Sequence, residues 1–204
     1  MARIINVDYE AIPAQAQQMR TLGQDLNNEL TTAYQSIADM HNSWYGQRYN
    51  ALVKEFNEII PQINELLELV VGEMPFALET VANNYSQADR GSNVTGANKT
   101  APKKISSISI SNDVGMKFLT SEVNTIQNKV SNNFKNARDK MNSIESTYAR
   151  ISWQSEASEA FAARFKKLKN EIVSAFENLD TQFVSLMKQT QEDIQATENA
   201  NTVQ

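Results

Sequence analysis

Apolar side chains recur at alternating steps of three and four residues along four long stretches of this chain. The first stretch holds Ile12, Ala16, Met19, Leu22, Leu26, Leu30, Ala33, Ile37 and Met40. The second starts at Leu52 and runs through Phe56, Ile59, Ile63, Leu66, Val70, Met74, Ala77 and Val81 to Tyr85. The third runs from Leu119 through Val123, Ile126, Val130, Phe134, Ala137, Met141 and Ile144 to Tyr148 and Ile151. The fourth runs from Phe161 through Phe165, Leu168, Ile172, Phe176, Leu179, Phe183 and Leu186 to Ile194, with Thr190 in one polar gap. Such spacing puts one apolar stripe on one helix face. A helix with a single stripe must bury it against others. The pattern therefore predicts an all-α fold, an antiparallel four-helix bundle made of two helix–turn–helix hairpins in one chain.

The two tryptophans mark the bends. Trp44-Tyr45-Gly46 falls between the first two stripes and Trp153-Gln154-Ser155 between the last two. A shift of 109 residues lays Trp44 on Trp153, Phe56 on Phe165, Ile63 on Ile172 and Val70 on Leu179. For the first helix of each half, Asp8 on Asp113 and Ile5 on Ile110 give a shift of 105, which predicts a third helix one turn longer. Expected boundaries are a first hairpin over 1–89, an extended linker over 90–111 and a second hairpin over 112–204. Asp8 or Pro13 is expected to open the first helix, Asn112 or Asp113 the third and Ser155 the fourth. Pro61 and Pro75 lie inside the second stripe and predict a bend near 61 and a stronger disruption near Gly72–Pro75.

The linker, with Gly91, Gly96, Pro102 and many Ser, Thr and Asn, reads as extended chain. Antiparallel hairpins require it to cover one helix length, about 57 Å for roughly 38 residues. About 25 extended residues reach ~80 Å. The span closes if the linker runs along the bundle, with Ile105, Ile108 and Ile110 as anchors.

Charge is uneven. The chain carries 19 Lys+Arg and 24 Asp+Glu, net −5. Residues 1–89 hold 12 acidic and 4 basic side chains, whereas 90–112 hold Arg90, Lys99, Lys103, Lys104 and no acid. A basic strap is thus expected to lie on the acidic half. No concentrated basic face points to nucleic acid. With no Cys and a single His, thiolate and His-cluster metal sites are not expected. No phosphate loop or nucleophile constellation is present, so neither cofactor, metal, small-molecule substrate nor enzymatic activity is expected. The N-terminus lacks the apolar core of a secretory signal. No apolar run approaches a membrane span.

With its Trp-x-Gly centred between two amphipathic helices, the chain resembles a tandem, fused member of the WXG (ESAT-like) family. These are small leaderless helical hairpins exported by the type VII (Esx) secretion machinery of Gram-positive bacteria and mycobacteria. They pair antiparallel into four-helix bundles, and this chain resembles both halves of such a pair. Ser155 stands where the family has glycine. The resemblance also implies an export signal, a tyrosine followed four residues later by an acid, at Tyr85 and Asp89. At the matching positions the second half has Ile194 and Glu198, without the tyrosine.

Each tryptophan has a plain reading, a turn aromatic packed on the bundle end. The family implies a second, a recognition surface shared with the signal of the other hairpin. Antiparallel packing then predicts one patch of Trp153, Tyr85 and Asp89, and at the opposite pole Trp44 with Glu198. His41 is expected at a helix C-terminus, where it suits the dipole. Arg164, Lys166, Lys167 and Lys169 are expected on the polar face of the fourth helix.

The resemblance implies a substrate of type VII export, secreted without a cleaved signal peptide. It would act through protein–protein recognition as an export partner or secreted factor. Its partners would be the membrane ATPase or a related export component and a co-secreted effector. The alternatives are an intracellular helical adaptor and a membrane-perturbing factor. A monomeric pseudo-dimer is expected, with an exchanged dimer as the alternative.

Overall fold

The computed structural model describes residues 6–202. Ile5, which the sequence pairs with Ile110, lies outside them. α1 (Ile12–Asp39) ends in a short 3-10 turn at Met40–Asn42. The return arm is α2 (Gln47–Glu58), α3 (Ile60–Leu67), a π-helical stretch at Glu68–Glu73 and α4 (Met74–Arg90). α5 (Thr120–Tyr148) and α6 (Glu156–Asn201) form the second hairpin. Two short strands, β1 (Trp44–Tyr45) and β2 (Lys117–Phe118), pair antiparallel.

The interruptions of the second arm follow its prolines. Pro61 and Pro75 occupy the first turns of α3 and α4, where the missing N–H has no helical acceptor to lose. α6 has no proline and runs 46 residues without a break, about 69 Å. The side chain of Ser155 caps it, accepting from the Ser158 amide at 3.1 Å. Asp8 Oδ1 accepts from the amides of Glu10 and Ala11 at the approach to α1. The expected cap of α5 at Asn112 or Asp113 does not form. α5 starts seven residues later, behind Leu119, because the 113–118 segment first turns at Gly115 and pairs with β1.

The hairpins pack antiparallel. Lys140 of α5 reaches Asp25 of α1 at 2.7 Å, and Gln15 near the start of α1 donates to the Arg150 carbonyl beyond the end of α5. Arg164 near the start of α6 bridges Glu65 of α3 and Glu73. α5 thus lies between α1 and α6, and α6 packs on α2 and α3. One core runs the length of the bundle, with Leu26, Leu30, Phe56, Ile63, Met141 and Ile172 fully buried.

The structure corrects the internal register. The Leu119 amide bonds to the Ser43 carbonyl at 2.9 Å, and the Asp8 amide bonds to the Ser152 carbonyl at 3.1 Å. Each half thus pairs the lead-in of its first helix with the other half's tryptophan turn. This sets Leu119 against Asp8, a shift of 111 rather than 105. Buried residues agree at that shift: Ile12 with Val123, Met19 with Val130, Leu30 with Met141 and Ile37 with Tyr148. α5 has 29 residues against 28 in α1, so no turn was inserted.

The strap between the hairpins lies on the first of them, held chiefly by asparagines. Asn50, Asn57 and Asn64 stand seven residues apart on α2 and α3. Each donates its amide to the carbonyl, and accepts from the N–H, of one strap residue: Ser111, Ile108 and Ile105 respectively, at 2.8–3.0 Å. Asn27 of α1 holds Lys103 in the same way, with both bonds at 2.8 Å. Seven helical residues rise about 10.5 Å. Three extended residues cover about 10 Å. The two chains therefore stay in step along the helix. A contact every third residue is the polyproline II period, whereas a flat strand would turn residues three apart to opposite sides. Within the strap Ile105 and Ile108 are buried, but Ile110 is 41 % exposed and anchors nothing. Charged groups hold the strap's earlier part: Lys99 meets Glu68 at 2.8 Å, and the paired Arg20 and Glu79 respectively donate to the Asn98 carbonyl and accept from its amide.

Candidate functional site

The described pole at the end of α4 collects most of the residues singled out by sequence. The turn after α5 presents Trp153, 7 % exposed and bridged to Val7. Gln15 reinforces this pairing, accepting from the Ser152 amide at 3.1 Å. Tyr85 comes from the last turns of α4, half-buried, and meets Trp153 across a depression of about 780 Å³. Tyr148, Ile151, Gln154 and Ser155 complete its walls, with Glu156 and Glu159 on the α6 side. The result is a depression lined by the nearly buried Trp153 and Tyr148 and the half-buried Tyr85, with an acidic border.

Asp89 is exposed, one turn beyond Tyr85, and is already engaged. The Tyr9 hydroxyl donates to Asp89 Oδ2. Arg90 lies over the Tyr9 ring, 5.5 Å from its centroid, and pairs with Glu10 at 3.0 Å. The bond to the Asp89 carboxylate pushes the Tyr9 phenol above its ordinary range. The sequence reading did not include Tyr9. Its place just ahead of α1 was the available signal, since antiparallel packing brings that segment to the end of α4. α4 stops at Gly91, whose φ of 73° suits a residue without a Cβ. Beyond it, Asn83 gathers the returning chain by accepting from the amides of Val94 and Thr95.

The opposite pole is closed. Trp44 is 1 % exposed, with Phe118 edge-on at 5.4 Å and Phe183 stacked at 6.1 Å. β2 crosses over Trp44 and Tyr45. Gly46 has φ 127°, a conformation that strongly favours glycine. Ser155, its counterpart, has φ −161°, which any residue adopts. The glycine is thus required at one turn and not at the other. Ile194 and Glu198 sit on the last turns of α6, where Ile194 is half-buried and Glu198 exposed. Trp44 therefore belongs to the core here and forms no patch with Glu198.

His41 Nε2 meets Asp113 at 2.9 Å, tying the strap's end to the end of α1. The basic cluster on α6 is more divided than expected. Arg164 spans to the first hairpin, Lys169 pairs with Glu145 of α5, and Lys167 stays on its own helix with Glu171. Among the described residues no group of three acidic, His or Cys side chains is placed to hold a metal. No helix there is long and apolar enough to cross a membrane.

No curated protein and no solved structure matches this chain significantly. Residues 4–90 match the model of the WXG100 family, described as proteins of 100 residues with WXG. That match covers α1, the Trp44-Tyr45-Gly46 turn and the whole return arm to Arg90. The first hairpin, residues 4–90, is thus similar to the WXG100, ESAT-like family of helical hairpins.

Proposed function

We propose that this protein is a substrate of type VII secretion, exported without a cleaved leader, which acts by protein–protein recognition and has no catalytic role. On this reading it is a family pair fused into one chain, and its second hairpin takes the place of a separate partner. Its export surface is the pole formed by Tyr85, Asp89 and Trp153. The observation that carries the proposal is the shared depression between Tyr85 of one hairpin and Trp153 of the other, in a chain whose first hairpin matches the family model. Its aromatic lining and acidic border suit a partner offering an apolar side chain flanked by basic groups. The partner would be the secretion system's membrane ATPase or a related export component, with a co-secreted effector as cargo.

The test is export from the native host, with and without that ATPase, alongside Tyr85→Ala and Trp153→Ala. Loss of the protein from the medium in all three cases is the expected result. Loss only without the ATPase would keep the export role and move the signal elsewhere. Retention in the cytoplasm of unmodified cells would overturn the export reading and favour an intracellular adaptor.

A further inference from the structure

The register between the two halves gives the strap-covered face of the first hairpin a counterpart on the second. A shift of 111 sets Arg138 of α5 at the place of Asn27. A shift of 109 sets Val173 of α6 at the place of Asn64. Asn27 and Asn64 are the clamps that hold Lys103 and Ile105 of the strap. On the second hairpin the corresponding place is a depression of about 190 Å³, lined by α5 and α6 alone.

The two faces differ in how their floor is built. Gly23 lets α1 press on the π-helical stretch; a Cβ there would sit 2.8 Å from the Val70 carbonyl oxygen. Its counterpart is Phe134, which stacks on Phe176 with centroids 4.0 Å apart and planes 4° from parallel. The ring pair stands between α5 and α6 and paves the groove. Val173 is half-buried beside it. Arg138 is held only loosely by Glu177, at 3.7 Å, and Lys135 has no ion-pair partner among the described residues.

We propose that the α5–α6 groove docks an extended segment of a partner chain, with branched apolar residues three apart as in the strap. The internal symmetry argues for this occupant, because the equivalent groove of the same molecule is filled by such a segment through Ile105 and Ile108. An apolar side chain would sit over Phe134 and Phe176. Arg138 and Lys135 would donate to its backbone carbonyls, replacing the asparagine clamp. This surface is separate from the Tyr85–Trp153 pole and does not depend on the export reading.

The probe is a fluorescent synthetic peptide with the strap sequence of residues 99–112, titrated into the full chain by anisotropy. Saturable binding is expected. Val173→Asn, which installs the amide found at Asn64, should tighten it at least fivefold. Val173→Arg, which fills the groove, should weaken it at least tenfold, as should a peptide with serine at both isoleucines. Circular dichroism establishes that each variant is folded. Absence of saturable binding, or binding indifferent to both Val173 variants, would overturn the proposal. Binding lost in Asn64→Ala but insensitive to Val173 would place the peptide in the strap's own groove and overturn it equally.

Discussion

Asn64 holds Ile105 by both of its backbone groups, donating to the carbonyl at 2.9 Å and accepting from the amide at 2.8 Å. One primary amide thus does the work of a strand neighbour for an extended residue that has no sheet to join. Repeated at Asn57 and Asn50, the same contact turns a linker into part of the bundle. It recognises backbone and not side chains, so the strap's own residues are free to vary except where Ile105 and Ile108 are buried.

Removing one rung should loosen the strap without unfolding the helices. Asn57→Ala deletes two hydrogen bonds and leaves both backbone groups of Ile108 without their partner. A loss of about 1–3 kcal/mol is expected. Hydrogen exchange should rise at 105–111 and stay low in α5. Asn57→Asp should not restore the rung, because its second carboxylate oxygen would face the Ile108 carbonyl. Unchanged exchange in both variants would show that the ladder contributes nothing.

The two tryptophan turns should answer glycine substitutions in opposite ways. Gly46→Ser forces a side chain into φ 127°, and should destabilise by about 1–3 kcal/mol. Ser155→Gly only exchanges one N-cap for another and should lose a few tenths of a kcal/mol. Denaturant midpoints measured side by side decide this. Equal losses would mean that backbone conformation does not explain the single glycine.

Alkali should weaken the fold through its buried tyrosines. Burial, assisted by the Asp39 charge, pushes the Tyr49 phenol up from 10.0 to about 12. Burial raises Tyr34 as well. The unfolded phenols ionise first, so their contribution is complete below pH 10 and disappears as pH climbs through the folded values. Stability should therefore fall steeply above pH 10. The double variant Tyr34→Phe/Tyr49→Phe should flatten that slope, despite losing the bonds to the Phe56 and Ile37 carbonyls. Chemical denaturation from pH 8 to 12 reads the difference.

Carrying both hairpins in one chain makes their pairing intramolecular, with an effective concentration on the order of millimolar. The melting point should then be independent of protein concentration over a hundredfold range. A melting point rising with concentration would reveal an exchanged dimer.

Much of the fold was legible from residue spacing. The 109-residue shift between the second arms stands, because both carry the same buried stripe from Phe56 and Phe165 onward. The 105-residue shift failed because Asp8 and Asp113 look alike as caps, whereas β2 pairing delays α5 to Thr120. Ile110 was expected to anchor the extended linker with Ile105 and Ile108, but the ladder imposes a period of three and passes it over. The heptad of Asn50, Asn57 and Asn64 was visible on the page, but nothing local says what a half-buried asparagine will hold.

The sequence by itself determined the helices, the interruptions at Pro61 and Pro75, the turns at the tryptophans, and the antiparallel arrangement that the linker length favours. These rest on periodicity, on proline's missing donor and on chain geometry, all of which are local or arithmetical. Tertiary structure alone decided that Tyr9 occupies Asp89, that Gly23 and Phe134 make two different grooves from equivalent positions, and that asparagine side chains make most of the contacts that seat the strap. Those outcomes depend on side chains from distant segments meeting in space, and one-dimensional spacing does not encode which partner fills a given hydrogen bond or gap.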